Sequence, residues 1–338
     1  MKKKIALLLI AVISVMMLVS CIAPTGKTGK GNKKYAIVAQ DAIGDRGFVD
    51  MAYEGIKKAS EEFGIEYKVF ECHADSSMYM DNLKAAASGY DVIFIVPGYF
   101  FDKELEEVKV KYPDKTYIYV DGVTPLENVN SATFKQNEGA FLAGALAALL
   151  TQETSVDKIN VEKKVGFVGG ADMPVIRDYQ AGFEHGVKYT DSTVEVIARY
   201  AGDHFDPAKG KDTAYITSQN GVDVIFQAAG PTGLGVLEAA STYNFYAIGV
   251  DTDQGYLQPD YIVSSMLKRV DTAIYSIIKS ISKGDVLQDV YTFSVANDGI
   301  GLARNEYYEK IVPQSVKDKV DEIEKKIISG EITVDTYE

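Results

Sequence analysis

Two cysteines and three histidines are all that 338 residues hold of the side chains most used for metal binding and nucleophilic chemistry. His73, His185 and His204 are scattered, so no two have metal-ligand spacing, and no Gly-x-Ser-x-Gly elbow presents a nucleophilic serine. Neither a metal centre nor a hydrolase triad is expected. Net positive charge is also lacking: 35 basic residues stand against 48 acidic ones, for a formal charge of −13. Such a surface repels phosphate backbones, so nucleic acid is not an expected partner.

One long apolar run exists, Ile5 to Val19, behind Lys2, Lys3 and Lys4. It falls short of the roughly 20 residues a comfortable membrane span requires. It ends in Leu18-Val19-Ser20-Cys21, the pattern of a bacterial lipoprotein signal peptide. The expectation is a signal peptide over 1–20, cleaved so that Cys21 carries the lipid. That would hold the protein on the extracytoplasmic face of the cell membrane. An ordinary secretory signal with a chance cysteine is the plainer alternative. Cleavage removes three lysines and no acid, taking the formal charge from −13 to −16. Residues 21–34, rich in Gly, Lys and Thr, then form a flexible tether. With Cys21 lipidated, Cys72 has no intrachain partner and is expected as a small buried hydrophobe.

Beyond the tether, short apolar runs alternate with segments of helical periodicity, the signature of an α/β chain with parallel sheets. Strands are predicted at Tyr35–Ala39, Glu66–Glu71, Val92–Val96, Thr116–Val120, Lys164–Val168, Val194–Tyr200, Val222–Gln227 and Tyr246–Val250. Helices are predicted at Gly47–Phe63, Ser77–Ala87, Phe101–Lys111, Glu138–Thr151, Val175–Lys188, Asp206–Ser218, Gly233–Ser241 and Arg269–Ser282. The pattern restarts near Val165, which favours two doubly wound lobes over one large sheet. Residues 35–137 with about 253–300 are assigned to the first lobe. Residues 138–252 with part of the C-terminal tail are assigned to the second. Open α/β sheets bind ligands beyond the carboxyl ends of their strands, so the loops after strands are where function is sought.

Those loops carry the unusual residues. Asp41-Ala42-Ile43-Gly44-Asp45-Arg46-Gly47-Phe48 is acidic and Gly-containing, readable as a ligand loop or as a turn with Asp45 as helix cap. Val120-Asp121-Gly122 reads first as a turn. Gly169-Gly170-Ala171-Asp172-Met173-Pro174 lacks both the Gly-Lys-Ser/Thr of a P-loop and dinucleotide-fingerprint spacing, so no nucleotide cofactor is expected. Ala229-Gly230-Pro231-Thr232-Gly233-Leu234-Gly235 allows close backbone approach to a ligand, though the start of a helix accounts for it equally. Asp251-Thr252-Asp253-Gln254 has too few oxygen ligands for calcium. A carboxylate accepting from two sugar hydroxyls suits it better.

Taken together these loops resemble one family, the basic membrane protein lipoproteins, which include purine-nucleoside receptors of ABC importers. The resemblance rests on Asp45-Arg46-Gly47-Phe48 with Ala52-Tyr53-Glu54-Gly55, on Gly139-Ala140-Phe141-Leu142-Ala143-Gly144, and on Val165-Gly166-Phe167-Val168-Gly169-Gly170 with Pro174-Val175-Ile176. It extends through Ala229 to Gly235, Gly249-Val250-Asp251-Thr252-Asp253-Gln254 and Ser264-Ser265-Met266-Leu267-Lys268-Arg269. It implies a type I periplasmic-binding-protein fold, two lobes joined by three crossings, closing on a nucleoside of the adenosine, guanosine or inosine type. By resemblance, Phe48 stacks on one face of the base and Phe205 on the other. Asp41 and Asp121 bond the base edge and Asp251 the ribose hydroxyls. Lys268 approaches the ribose, and Val175 and Gly230 shape the floor. The partners so implied are the nucleoside, a membrane ABC permease and the membrane itself through the lipid, with the chain a monomer and not an enzyme. The family commonly has Asn after the stacking Phe where this chain has Val49, so base preference does not carry over.

Three other readings stand beside this one. They are a sugar or signal-molecule receptor of the same fold, a signalling or adhesion lipoprotein that has lost transport, and a nucleoside-cleaving enzyme.

Overall fold

A computed structural model describes residues 33–337. The signal peptide, Cys21 and nearly all of the expected tether lie outside the described residues. In chain order the first lobe contains β1 (Lys34–Ala39), α1 (Phe48–Phe63), β2 (Glu66–Glu71), α2 (Tyr79–Gly89), β3 (Val92–Val96), α3 (Asp102–Lys111), β4 (Thr116–Val120) and β5 (Val129–Phe134). The chain then builds the second lobe with α4 (Gln136–Leu150), β6 (Lys164–Gly169), α5 (Pro174–Thr190), β7 (Glu195–Tyr200), α6 (Pro207–Ser218), β8 (Val224–Ala228), α7 (Pro231–Tyr243), β9 (Tyr246–Asp251) and β10 (Ile262–Lys268). It returns to the first lobe for α8 (Val270–Lys283) and β11 (Val290–Phe293). It ends in the second with β12 (Ile300–Leu302), α9 (Glu306–Ile311) and α10 (Gln314–Ser329).

The two sheets have the same plan. One runs β2-β1-β3-β4-β5-β11 and the other β7-β6-β8-β9-β10-β12, parallel throughout except that β12 opposes β10. Their central strands are buried on both faces, which is why Val92-Ile93-Phe94-Ile95-Val96 reads as an unbroken apolar run. In each lobe the order reverses between the first and third strands (β1 and β3; β6 and β8), and ligands bind beyond the carboxyl ends of strands at such switch points.

Helix α4 is apolar on every side and buried along almost its whole length. It lies so close to α5 that a Cβ at Gly144 would come 2.2 Å from the Phe183 carbonyl, and one at Gly186 2.0 Å from that of Phe141. Only glycine admits that approach.

The structure corrects the expected lobe boundary. Residues 262–268, assigned to the first lobe with the rest of 253–300, form a strand paired to β9 in the second sheet. The crossing comes at Arg269, after which α8 packs on α1, with Phe63 and Tyr275 stacked at 5.8 Å. Strands β5, β10, β11 and β12 and helices α9 and α10 add to the expected elements. Cys72 follows β2, fully buried, and accepts a hydrogen bond from Asn82 Nδ2 at 3.3 Å.

Candidate functional site

Both switch points open on one cavity of about 630 Å³ of atom-free space, the open solvent at its mouth included. From the first lobe, Gln40 and Asp41 follow β1, Pro97, Tyr99 and Phe100 follow β3, and Asp121 follows β4. From the second, Ala229 and Gly230 follow β8, Asp251 ends β9 and Lys268 ends β10, while Val175, Ile176 and Tyr179 come from the first turns of α5. Asp41, Phe48, Asp121, Val175, Phe205, Gly230, Asp251 and Lys268, the eight candidate residues, all line it.

Local structure explains how several of them are held. The Asp45 carboxylate accepts from the backbone N–H groups of Gly47, Val49 and Asp50 at 3.0, 2.8 and 3.1 Å, satisfying donors that the start of α1 would otherwise leave orphaned. It is therefore a cap and a cavity residue at once, and it fixes Phe48 at the first position of the helix. Burial pushes its pKa up, with those three N–H groups opposing. Gly230 has φ +56 and ψ −141, a conformation that favours glycine, and it starts α7 beside the cavity.

Asp121 and Asp251 occupy matching places at the carboxyl end of the fourth strand of each lobe, both in the left-handed region, with φ 72 and 68. Aspartate tolerates that conformation better than most residues. Lys268 Nζ bridges from the second lobe to Asp121 Oδ1 at 2.5 Å, with 1% of its side chain exposed. The same ammonium lies 5.3 Å from the Phe48 ring centroid, 5.2 Å from Phe134 and 5.3 Å from Tyr179. Asp251 is pushed up to about 7, first by burial, with Asp45 and Asp121 adding to the effect and Lys268 opposing it.

Sequence reasoning missed Gln40, Tyr99, Phe100, Tyr179 and His204 as cavity residues. Tyr179 was legible, since it lies one helical turn beyond Val175 and Ile176. Burial drives the Tyr99 and Tyr179 hydroxyls well above the usual phenol range, so both remain donors. His204 accepts from Ala171 N–H through Nδ1 at 3.3 Å, and burial lowers its pKa, favouring the neutral ring.

Two doubly wound lobes with a shared cavity at their switch points define a type I periplasmic-binding-protein fold. A solved ABC transporter solute-binding protein from Aeropyrum pernix K1 superposes with a TM-score of 0.79 at 29% identity, over 90% of this chain and 93% of that one. The chain belongs to the Bmp family, described as PnrA-like ABC transporter substrate-binding proteins, whose model matches residues 32–338. Among its relatives, the "ABC transporter nucleoside-binding protein BmpA" of Lactococcus lactis subsp. cremoris is 31% identical, covering 98% of this chain and 99% of its own. "Basic membrane protein A" of Borreliella afzelii is 29% identical over 92% of this chain and 94% of its own.

Proposed function

We propose that this substrate-binding protein is a lipid-anchored, extracytoplasmic receptor that captures a nucleoside of the purine class and delivers it to an ABC importer. The observation that carries the reading is the composition of the cavity. Aromatic rings from both lobes, Phe48 and Phe205, share it with carboxylates and one lysine. Flat apolar faces suit a heterocycle. Ionised carboxylates accept the hydroxyl and N–H donors in which a nucleoside is rich. The Lactococcus relative is described as nucleoside-binding, which agrees with that chemistry. The anchor rests on the Leu18-Val19-Ser20-Cys21 pattern. The ligand contacts residues of both lobes, so binding favours the closed form, the shape a permease recognises. No bond in the ligand is broken.

Calorimetric titration of a soluble form starting after Cys21 tests this, with adenosine, guanosine, inosine, cytidine and ribose. Purine-nucleoside binding is expected, weakened in Phe48→Ala by roughly 2 kcal/mol, about 30-fold, as one stacking face is lost. Binding of ribose in preference to every nucleoside would move the assignment to a sugar receptor. Silence across all five would sink the nucleoside reading.

A further inference from the structure

A buried chain of amides runs behind the cavity and ends across the cleft. Ala229 N–H donates to Gln227 Oε1 at 3.1 Å, Gln227 Nε2 donates to Gln254 Oε1 at 3.1 Å, and Gln254 Nε2 donates to the Arg46 carbonyl at 3.0 Å. Gln254 Oε1 also accepts from Val250 N–H at 3.0 Å, and its own backbone N–H donates to Ser265 Oγ at 3.0 Å. Both glutamines belong to the second lobe and Arg46 to the first. The last bond of the chain is therefore made between lobes.

The relay is built into the fold. Gln227 is 0% and Gln254 2% exposed, and neither lines the cavity. Two glycines make room for it. A Cβ at Gly233 would sit 2.0 Å from Gln227 Oε1, and one at Gly249 would sit 2.6 Å from both Gln254 Oε1 and Ser265 Oγ. At the far end, Arg46 holds φ 55, a conformation a residue with a side chain adopts under constraint. Its neighbour Asp45 lines the cavity, as does Ala229 at the near end.

We propose that Gln227 and Gln254 are positioning residues for ligand capture. Their amide relay latches the Asp45–Phe48 loop of the first lobe to the Ala229 turn of the second without touching the ligand. The inference rests on the cavity being the ligand site. A carboxamide is required at 254 because one side chain must accept from two N–H groups and donate to a carbonyl, which neither a carboxylate nor an apolar group does. The bond to Arg46 exists only while the lobes are together, and opening returns both groups to water. The latch therefore acts on release and leaves encounter untouched.

The test is Gln254→Glu at pH 8, which keeps the acceptors and removes the donor. Stopped-flow association and dissociation are measured with the purine nucleoside that binds best, and small-angle X-ray scattering is recorded without ligand. Release is expected to accelerate about tenfold, as for a buried carbonyl left unpaired, with association within about twofold. The ligand-free radius of gyration should rise. Gln227→Leu should accelerate release less, and the double variant no more than Gln254→Glu alone, because the two act in one relay. If Gln254→Glu does not fold, Gln254→Met removes the same donor. Parental release and parental scattering in a folded Gln254 variant would overturn the latch. If no nucleoside binds, the scattering comparison still decides: an unchanged ligand-free radius overturns the latch and a larger one supports it.

Discussion

The two lobes share a strand order yet offer the cavity different chemistry. After its first and third strands, the first lobe presents side chains: Gln40, Asp41, Tyr99 and Phe100. After its third strand the second lobe presents the small residues Ala228, Ala229 and Gly230, and its larger side chains reach the cavity from elsewhere: Val175, Ile176 and Tyr179 from α5, His204 and Phe205 from the segment after β7. The lobes converge only at the carboxyl end of the fourth strand, where each sets one left-handed aspartate, Asp121 or Asp251. A repeated architecture therefore sets where the cavity lies, and the loops decide where side chains line it and where small residues leave backbone open to it.

Lys268 belongs to the second lobe but is paired with the aspartate of the first, so cutting it is the strongest way to break this division. Lys268→Met leaves Asp121 buried without its cation. It should lower the unfolding free energy by about 3 kcal/mol in urea denaturation, and weaken nucleoside binding more than about 100-fold by calorimetry. Adding Asp121→Asn should restore most of the stability and none of the binding.

Asp251 can next be followed by titration. The folded chain holds the Asp251 proton up to about 7, whereas an ordinary aspartate releases it near 3.8. The unfolded state binds fewer protons through that window, so the ligand-free fold loses stability as the pH climbs through it. Asp251→Asn should flatten that slope in thermal unfolding and raise stability at pH 8 by roughly 2 kcal/mol. A smaller slope will remain from Asp223, which burial pushes up to about 6. Ligand affinity should run the opposite way in the parent, rising from pH 6 to 8 as the ionised carboxylate accepts hydroxyl bonds.

The smallest effect concerns the first lobe alone. Val49 lines the cavity next to Phe48 and contributes no polar atom. Val49→Asn adds an amide beside the ligand and should change the ratio of adenosine to inosine affinity by about 1 kcal/mol, roughly fivefold, read in the same titrations.

Much of this was legible in the sequence because buried parallel strands declare themselves as continuous apolar runs, as Val92–Val96 and Tyr246–Asp251 do. The loops after them follow from topology, and within those loops the family resemblance singles out Asp41, Asp121 and Asp251. The return of the chain between lobes was not legible. Ile262–Lys268 contains two serines and a lysine, and its place beside β9 is set by tertiary pairing. Val290–Phe293 and Ile300–Leu302 are short, and nothing local in them says which sheet each joins. Helix α10 was readable, since Val316, Val320, Ile323 and Ile327 recur at helical spacing. His204 and Gln40 had no such signal, because a single polar residue beside a strand end declares nothing until the fold shows which way it faces.

The three crossings gather in one place. Phe134 and Phe293, which end β5 and β11, stack at 5.3 Å, and the Lys268 ammonium at the end of β10 lies 5.2 Å from Phe134. Val295 N–H is tied to Glu138 Oε2 at 3.0 Å, joining two of the connections. Three covalent connections at one edge act as a single hinge, so the lobes part on the side away from it and a ligand enters from there.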